Sequence, residues 1–238
     1  MTRIISDSNI MINRTNIIAI STTVRGDKIS DRRRVTITSN FDKYGIKLIL
    51  NEGITKFDKI HRCFNNNLRR LLTFKRSGYD YGLICDDDFF PIDNFVVELN
   101  KTISLLPSDW RCLHLCPGFL WGRKFRDKAK IGHLNPELPL EKLDVHESGR
   151  FFQNCNNATY YSMKCWLGGP EAFIVRQRNI DQFIALYMEY FKRNRIITDM
   201  INTCMLNSKT FICREPQLGY EEENGGSCFQ EKKYLLMS

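Results

Sequence analysis

Two periods of apolar spacing take turns along the chain. NIIAIST at 16–22 is a short apolar run that predicts a buried first strand, and GIKLIL at 45–50 predicts a second. Between them DRRRVTITSNFDKY at 31–44 reads as a helix. A longer helix follows, with Phe57, Ile60, Phe64, Leu68, Leu71 and Leu72 on one face and Gly78 closing the turn after it. YGLIC at 81–85 predicts a third, central strand. Pro91 is suited to the first position of another helix, whose inner stripe is Ile92, Phe95, Val96, Leu99, Ile103 and Leu106. WRCLHLCPG at 110–118 predicts a fourth strand. From 118 to 166 the period dissolves into Gly, Pro, Asn and basic residues, the mark of a functional insertion given its many aromatics. Regularity returns with a short strand EAFIV at 171–175, a helix over 179–192, a further helix near Thr198, a strand TFIC at 210–213 and a polar tail. Strands alternating with helices predict an α/β fold, a sheet flanked by helices, in a single domain over 1–238 with an irregular insertion.

Composition narrows the classes. At 238 residues and 42% apolar the chain has enough material to bury a full core. Nine cysteines without C-x-x-C pairs, and an N-terminal segment without a basic start or cleavage site, predict reduced thiols and a cytoplasmic location. No run approaches the length of a membrane helix, so no integral membrane segment is expected. The net charge of +8 suggests an anionic partner, such as a nucleotide diphosphate, an acidic lipid surface or nucleic acid. Its basic clusters are short, DRRR at 31–34, RRLLTFKR at 69–76, GRKFRDK at 122–128 and FKRNR at 191–195, and they read first as solvated helix faces. No nucleic-acid module accompanies them, so no nucleic-acid partner is expected.

Candidate chemistry centres on Asp86, Asp87 and Asp88, set directly behind YGLIC. Unit charges about 4 Å apart repel by roughly 4 kcal/mol at an effective dielectric near 20, so the triplet demands a cation. A divalent metal supplies one, and carboxylate oxygens select hard ions such as Mg2+ or Mn2+ held jointly with substrate phosphates. In an extended segment Asp86 and Asp88 point one way and Asp87 the other. The carboxyl edge of an open α/β sheet is also where such folds bind ligands. The bland alternative is a solvated acidic turn capping a strand. Cys112, His114 and Cys116 share a strand face, but same-face neighbours lie roughly 7 Å apart, too far for one zinc ion, so packing accounts for them. His133 and His146 fall in the insertion and read as surface residues or as members of a metal or acceptor site. REPQLGYEEENGGSC at 214–228 reads as a mobile tail or a lid.

The stretch KIHRCFNNNLRRLLTFKRSGYDYGLICDDDFFPIDNF, followed by LPSDWRCLHLCPG, resembles the core of GT-A glycosyltransferases, in particular family 25 and related glycosyltransferases of large DNA viruses. GGPEAFIVRQRNIDQFIALY and IITDMI resemble later segments of that family. The resemblance implies a Rossmann-like mixed sheet flanked by helices, with a nucleotide-binding half at about 14–117 and an acceptor-side half at about 118–238. It implies a metal-dependent, inverting transfer of a sugar from a nucleotide-sugar donor of the UDP type to a hydroxyl of a glycan or glycoprotein acceptor, with Mn2+ or Mg2+ as cofactor. Asp88 would take the metal, and Asp86 the metal or the donor ribose, with Asp87 beside them where the family has Glu-Asp-Asp. Ile18, Ser21 and Thr22 would border the nucleoside, and Arg25 its base or phosphates. Asp199 would be the base, an assignment that competes with ordinary helix capping by Thr198-Asp199, and Glu171 the second candidate or an acceptor ligand. Two other classes stay open at this point: a nucleotidyltransferase or phosphatase using the same aspartates, and a non-catalytic basic binding module.

Overall fold

The structure, a computed structural model, describes residues 11–115, 144–153, 172–194, 210–214, 216 and 218–221. Glu171, Asp199, Cys116, His133 and the helix expected near Thr198 lie outside the described residues. Eight strands form one sheet: β1 (Ile17–Thr23), β2 (Lys47–Glu52), β3 (Tyr81–Cys85), β5 (Cys112–His114), β6 (Asp144–Val145), β7 (Phe151–Gln153), β8 (Ala172–Arg176) and β9 (Thr210–Cys213). Their order is β2-β1-β3-β8-β5-β9-β7-β6. β1 runs parallel to both β2 and β3, whereas β8 is antiparallel to β3 and β5. This is the sheet flanked by helices that the alternation of periods predicts, and it is mixed, as the family resemblance implies.

Its two faces carry separate cores. On one face α1 (Lys28–Lys43) and α3 (Phe95–Ser104) bring Ile37, Phe41, Leu99 and Ile103 against Ile17, Ala19 and Leu83. On the other, α2 (Lys59–Lys75) and α4 (Ile180–Asn194) bring Phe64, Leu71, Phe74, Phe183 and Tyr187 against Ile18, Ile20 and Ile84. The period of two along β1 thus sends alternate residues into opposite cores. The Phe74 ring of α2 lies directly on the β3 backbone at Gly82, where an added Cβ would lie 2.5 Å from it. Gly78, just past the turn that follows α2, sits at φ +75, a conformation that glycine adopts without strain.

Local periodicity misplaces three features. Pro91 opens no helix; it ends the short strand β4 (Phe89–Pro91), which pairs antiparallel with β10 (Gly219–Glu221). That partner comes from the far end of the chain, from a segment expected to be a mobile tail, and a window of local sequence holds no trace of it. α3 starts only at Phe95, after Asn94 at φ 61. Phe57 is exposed, because α2 begins at Lys59 behind Asp58, whose carboxylate accepts from the His61 amide. Within the irregular insertion, β6 and β7 form a small antiparallel hairpin that extends the sheet.

Candidate active site

β1 and β3 are parallel neighbours, so their carboxyl ends open on the same edge of the sheet. β1 leads through Val24 into α1, and β3 leads into the acidic triplet. Ser30, in the first turn of α1, joins the two. Its amide donates to the Asp27 cap, its hydroxyl accepts from the Val24 amide at 2.8 Å, and the same hydroxyl donates to Asp87 Oδ2 at 3.0 Å. One small side chain thereby fixes the acidic turn to the start of a helix, where the dipole favours negative charge.

The triplet is neutralised chiefly from within the protein. Arg33 reaches from α1 with one guanidinium nitrogen 3.2 Å from Asp87 Oδ1 and the other 2.9 Å from Asp88 Oδ2. Arg70 reaches from α2 to Asp86 Oδ1 at 2.7 Å and to the Cys85 carbonyl at 2.5 Å, and it is braced by the Asn67 amide oxygen. Both arginine side chains are nearly enclosed, 5% and 6% exposed, while Asp86 is 45% exposed. The expectation that a bound metal alone makes the triplet tolerable is therefore corrected: two guanidinium groups answer three carboxylates. Arg70 serves the exposed Asp86, and Arg33 is shared by the enclosed Asp87 and Asp88.

The side-chain alternation expected for an extended segment is also corrected. Strand geometry stops at Cys85, and residues 86–88 turn, with the Phe89 amide donating to the Asp86 carbonyl at 3.4 Å. Arg70 consequently holds Asp86 toward α2, while Arg33 holds Asp87 and Asp88 together toward α1. Burial raises the Asp87 carboxyl above its ordinary value, against the opposing pull of Arg33 and the Ser30 hydroxyl. Asp87 thus behaves as an internal tie. Burial likewise pushes the neighbouring Cys85 thiol upward, so this residue is a packing group.

The remaining expected residues separate by position. Ile18 is wholly enclosed in the α2–α4 core, so its side chain faces no surface. Ser21 Oγ and Thr22 Oγ1, at the carboxyl end of β1, are buried atoms with no hydrogen-bond partner among the described residues. Arg25 is exposed and paired with Glu52 at 3.2 Å. His146 sits in the turn between β6 and β7, stacked on Phe151 and hydrogen-bonded to Ser148. Among the described residues no group of three or more His, Cys, Asp or Glu is arranged to hold a metal ion. Arg33 and Arg70 are the residues that sequence reasoning missed. Each stands in a basic cluster that reads as solvated, yet each keeps helical spacing with core residues: Arg33 with Ile37 and Phe41, Arg70 with Phe74.

Cys112 and His114 pack in the sheet as expected. Both are fully buried, and neither ring nitrogen of His114 has a hydrogen-bond partner among the described residues. Burial lowers the His114 pKa to about 3. Between about pH 3 and the ordinary histidine value of about 6.5 the unfolded chain binds a proton that the folded chain refuses, so stability rises with pH across that window and is lost as pH falls. His114→Leu removes both the unpaired polar atoms and this proton linkage. It is expected to gain about 1–2 kcal/mol at pH 7 and to flatten the acid limb of a urea-denaturation series. An unchanged acid limb would place the linkage elsewhere.

No family model matches the chain, and neither does any curated protein. No helix among the described residues is long and apolar enough to cross a membrane. Among solved structures, the chain is similar in fold to a glycosyltransferase involved in the glycosylation of the major capsid of PBCV-1, at 9% identity and a TM-score of 0.41, over 83% of this chain and 91% of that one. It is also similar to a mutant Drosophila beta-1,4-galactosyltransferase 7 solved with manganese, UDP-Gal and xylobiose, at 14% identity and a TM-score of 0.42, over 91% of this chain and 79% of that one.

Proposed function

We propose that this chain is a metal-dependent glycosyltransferase that moves a sugar from a nucleoside-diphosphate donor, of the UDP type, to a hydroxyl of a glycan or protein-linked acceptor, with inversion. The observation that carries the reading is the acidic turn on the carboxyl edge of β3, fixed by Ser30 to the start of α1, with Asp86 45% exposed at its edge. The donors there are all carboxylate oxygens, which suit a hard divalent cation. Asp88 would hold Mn2+ or Mg2+ together with the donor's diphosphate, and Asp86, which Arg70 holds toward α2, would meet the donor ribose or a metal-bound water. The ion, when bound, offsets charge growing on the departing diphosphate.

The chain's own groups then have distinct tasks. Arg33 and Ser30 keep the turn in place through Asp87, so that Asp88 stays aimed without an ordering cost at each turnover. Ser21 and Thr22 would border the nucleoside from the end of β1, where both hydroxyls are enclosed. Arg25, exposed on the rim, adds a cation for the phosphates. Asp199 would deprotonate the acceptor hydroxyl, with Glu171 as the alternative base or an acceptor ligand.

Thermal shift with and without ligand tests the reading. Mn2+ and UDP added together are expected to raise the melting temperature more than the sum of their separate effects. At about 100-fold excess over the dissociation constant, binding to the folded state contributes about 2.7 kcal/mol. A chain indifferent to the pair would leave the acidic turn as a structural feature.

A further inference from the structure

A second concave site lies at the other end of α1. Its cavity, about 360 Å³, is lined by Asn40, Lys43, Tyr44, Phe90, Asp93 and Tyr220, among others. Asn40 and Tyr44 follow Arg33 by seven and eleven residues, so they share its side of the helix, with Asn40 about 10 Å further along the axis. The aromatic wall is a cross-strand pair: Phe90 of β4 and Tyr220 of β10 stand opposite each other with ring centroids 5.5 Å apart and planes 11° from parallel. Tyr220 is held there by its neighbour. A Cβ at Gly219 would collide with the Phe89 ring, so the β10 backbone is pressed flat on the core and Tyr220 is directed over Phe90.

The polar lining is balanced in charge and incomplete in hydrogen bonding. Lys43 and Asp93 form an ion pair at 2.7 Å, which leaves no net charge to attract an anion. The Tyr44 hydroxyl donates to the Ile92 carbonyl at 2.8 Å. Asn40 lies in the lining beside them, and its Nδ2 is enclosed without a hydrogen-bond partner among the described residues. A ligand that fits must be uncharged, must offer an apolar face to exposed aromatic rings, and must present oxygen acceptors and hydroxyl donors at its edge. A pyranose ring meets all three conditions.

We infer that this pocket is a binding subsite for a neutral sugar residue, with the stacked pair of Tyr220 and Phe90 as its aromatic wall and Asn40, Lys43 and Asp93 as its polar edge. The inference is independent of the transfer chemistry at the acidic turn.

The test titrates the full chain with cellobiose, lactose and N,N′-diacetylchitobiose, following saturation-transfer NMR and calorimetry. At least one disaccharide is expected to bind saturably, and Asn40→Leu and Tyr220→Ala are each expected to weaken it about tenfold. Asn40→Leu removes the amide while keeping the side-chain volume, so it reports on the site even if Tyr220→Ala disturbs β10. Binding should be unchanged in Asp88→Ala and undisplaced by inorganic pyrophosphate. If none of the three sugars binds, or both pocket variants bind as the parent does, the inference is overturned. Loss of binding in Asp88→Ala, or displacement by pyrophosphate, would overturn it as well, since the sugar would then sit at the acidic turn. Retained sugar binding in a chain that ignores Mn2+ and UDP would uphold this subsite while removing the transferase reading.

Discussion

Replacing Arg33 by Met is expected to cost about 3–5 kcal/mol of folding stability at neutral pH, the largest loss foreseen for any single side chain here. The guanidinium is nearly enclosed and serves two carboxylates at 3.2 and 2.9 Å, so its removal takes their shared cation from Asp87 and Asp88 in a poorly hydrated turn. Asp87 already holds its proton more tightly than an ordinary carboxyl because of burial, and Arg33 is the strongest influence opposing that. Without Arg33 its folded-state pKa must climb further. The folded variant then keeps a proton that the unfolded chain, near pKa 3.9, has released, and so stability falls as pH rises through this window and recovers as pH falls. Urea denaturation of parent and variant at pH 7 and pH 5 checks both points: the gap should be widest at pH 7 and narrower at pH 5. Adding Asp87→Asn to the variant should recover part of the loss at pH 7. A loss that is independent of pH and unaffected by Asp87→Asn would mean that Arg33 acts by packing alone.

That arginine also marks where sequence reading succeeds and fails. The central strand 81–85 and the layered α/β plan were legible because burial writes a period into contiguous residues: every side chain of β3 is buried, and alternate residues of β1 feed opposite cores. The acidic triplet was legible as a concentration of charge at a strand end. What local sequence did not carry was the partner of each charged group. Arg33 meets Asp87 and Asp88 across 54 and 55 positions, and Arg70 meets Asp86 only because α2 packs on β3. A basic cluster looks the same whether its arginines face water or a buried carboxylate. The clue was one of phase, since Arg33 falls in step with Ile37 and Phe41 on the inner side of α1. β10 escaped for the same reason, its pairing with β4 being written at two distant places. Ser30 gave no signal beyond that of a helix-start residue, although its hydroxyl joins β1, α1 and the acidic turn.

Asp88→Asn is expected to lower metal-dependent turnover of a sugar nucleotide by at least about 100-fold, a loss of about 2.7 kcal/mol of transition-state stabilisation, with little change in folding stability. The amide oxygen still accepts from Arg33, and Asp87 still engages both Arg33 and Ser30, so the turn keeps its anchors. What the substitution removes is a charged hard-oxygen donor at the site proposed for the ion. Asp87→Asn is the matching control, because that carboxylate is spent on internal bonds; it should disturb stability and its pH dependence while leaving Mn2+ binding nearly intact. Paramagnetic resonance titration of Mn2+ in both variants, with and without UDP, separates the two roles by a readout that does not depend on turnover. If Asp88→Asn binds Mn2+ as the parent does, or if the two variants lose binding and stability in equal measure, the turn is a structural knot of arginines and aspartates, and the transfer chemistry belongs to some other edge of the sheet.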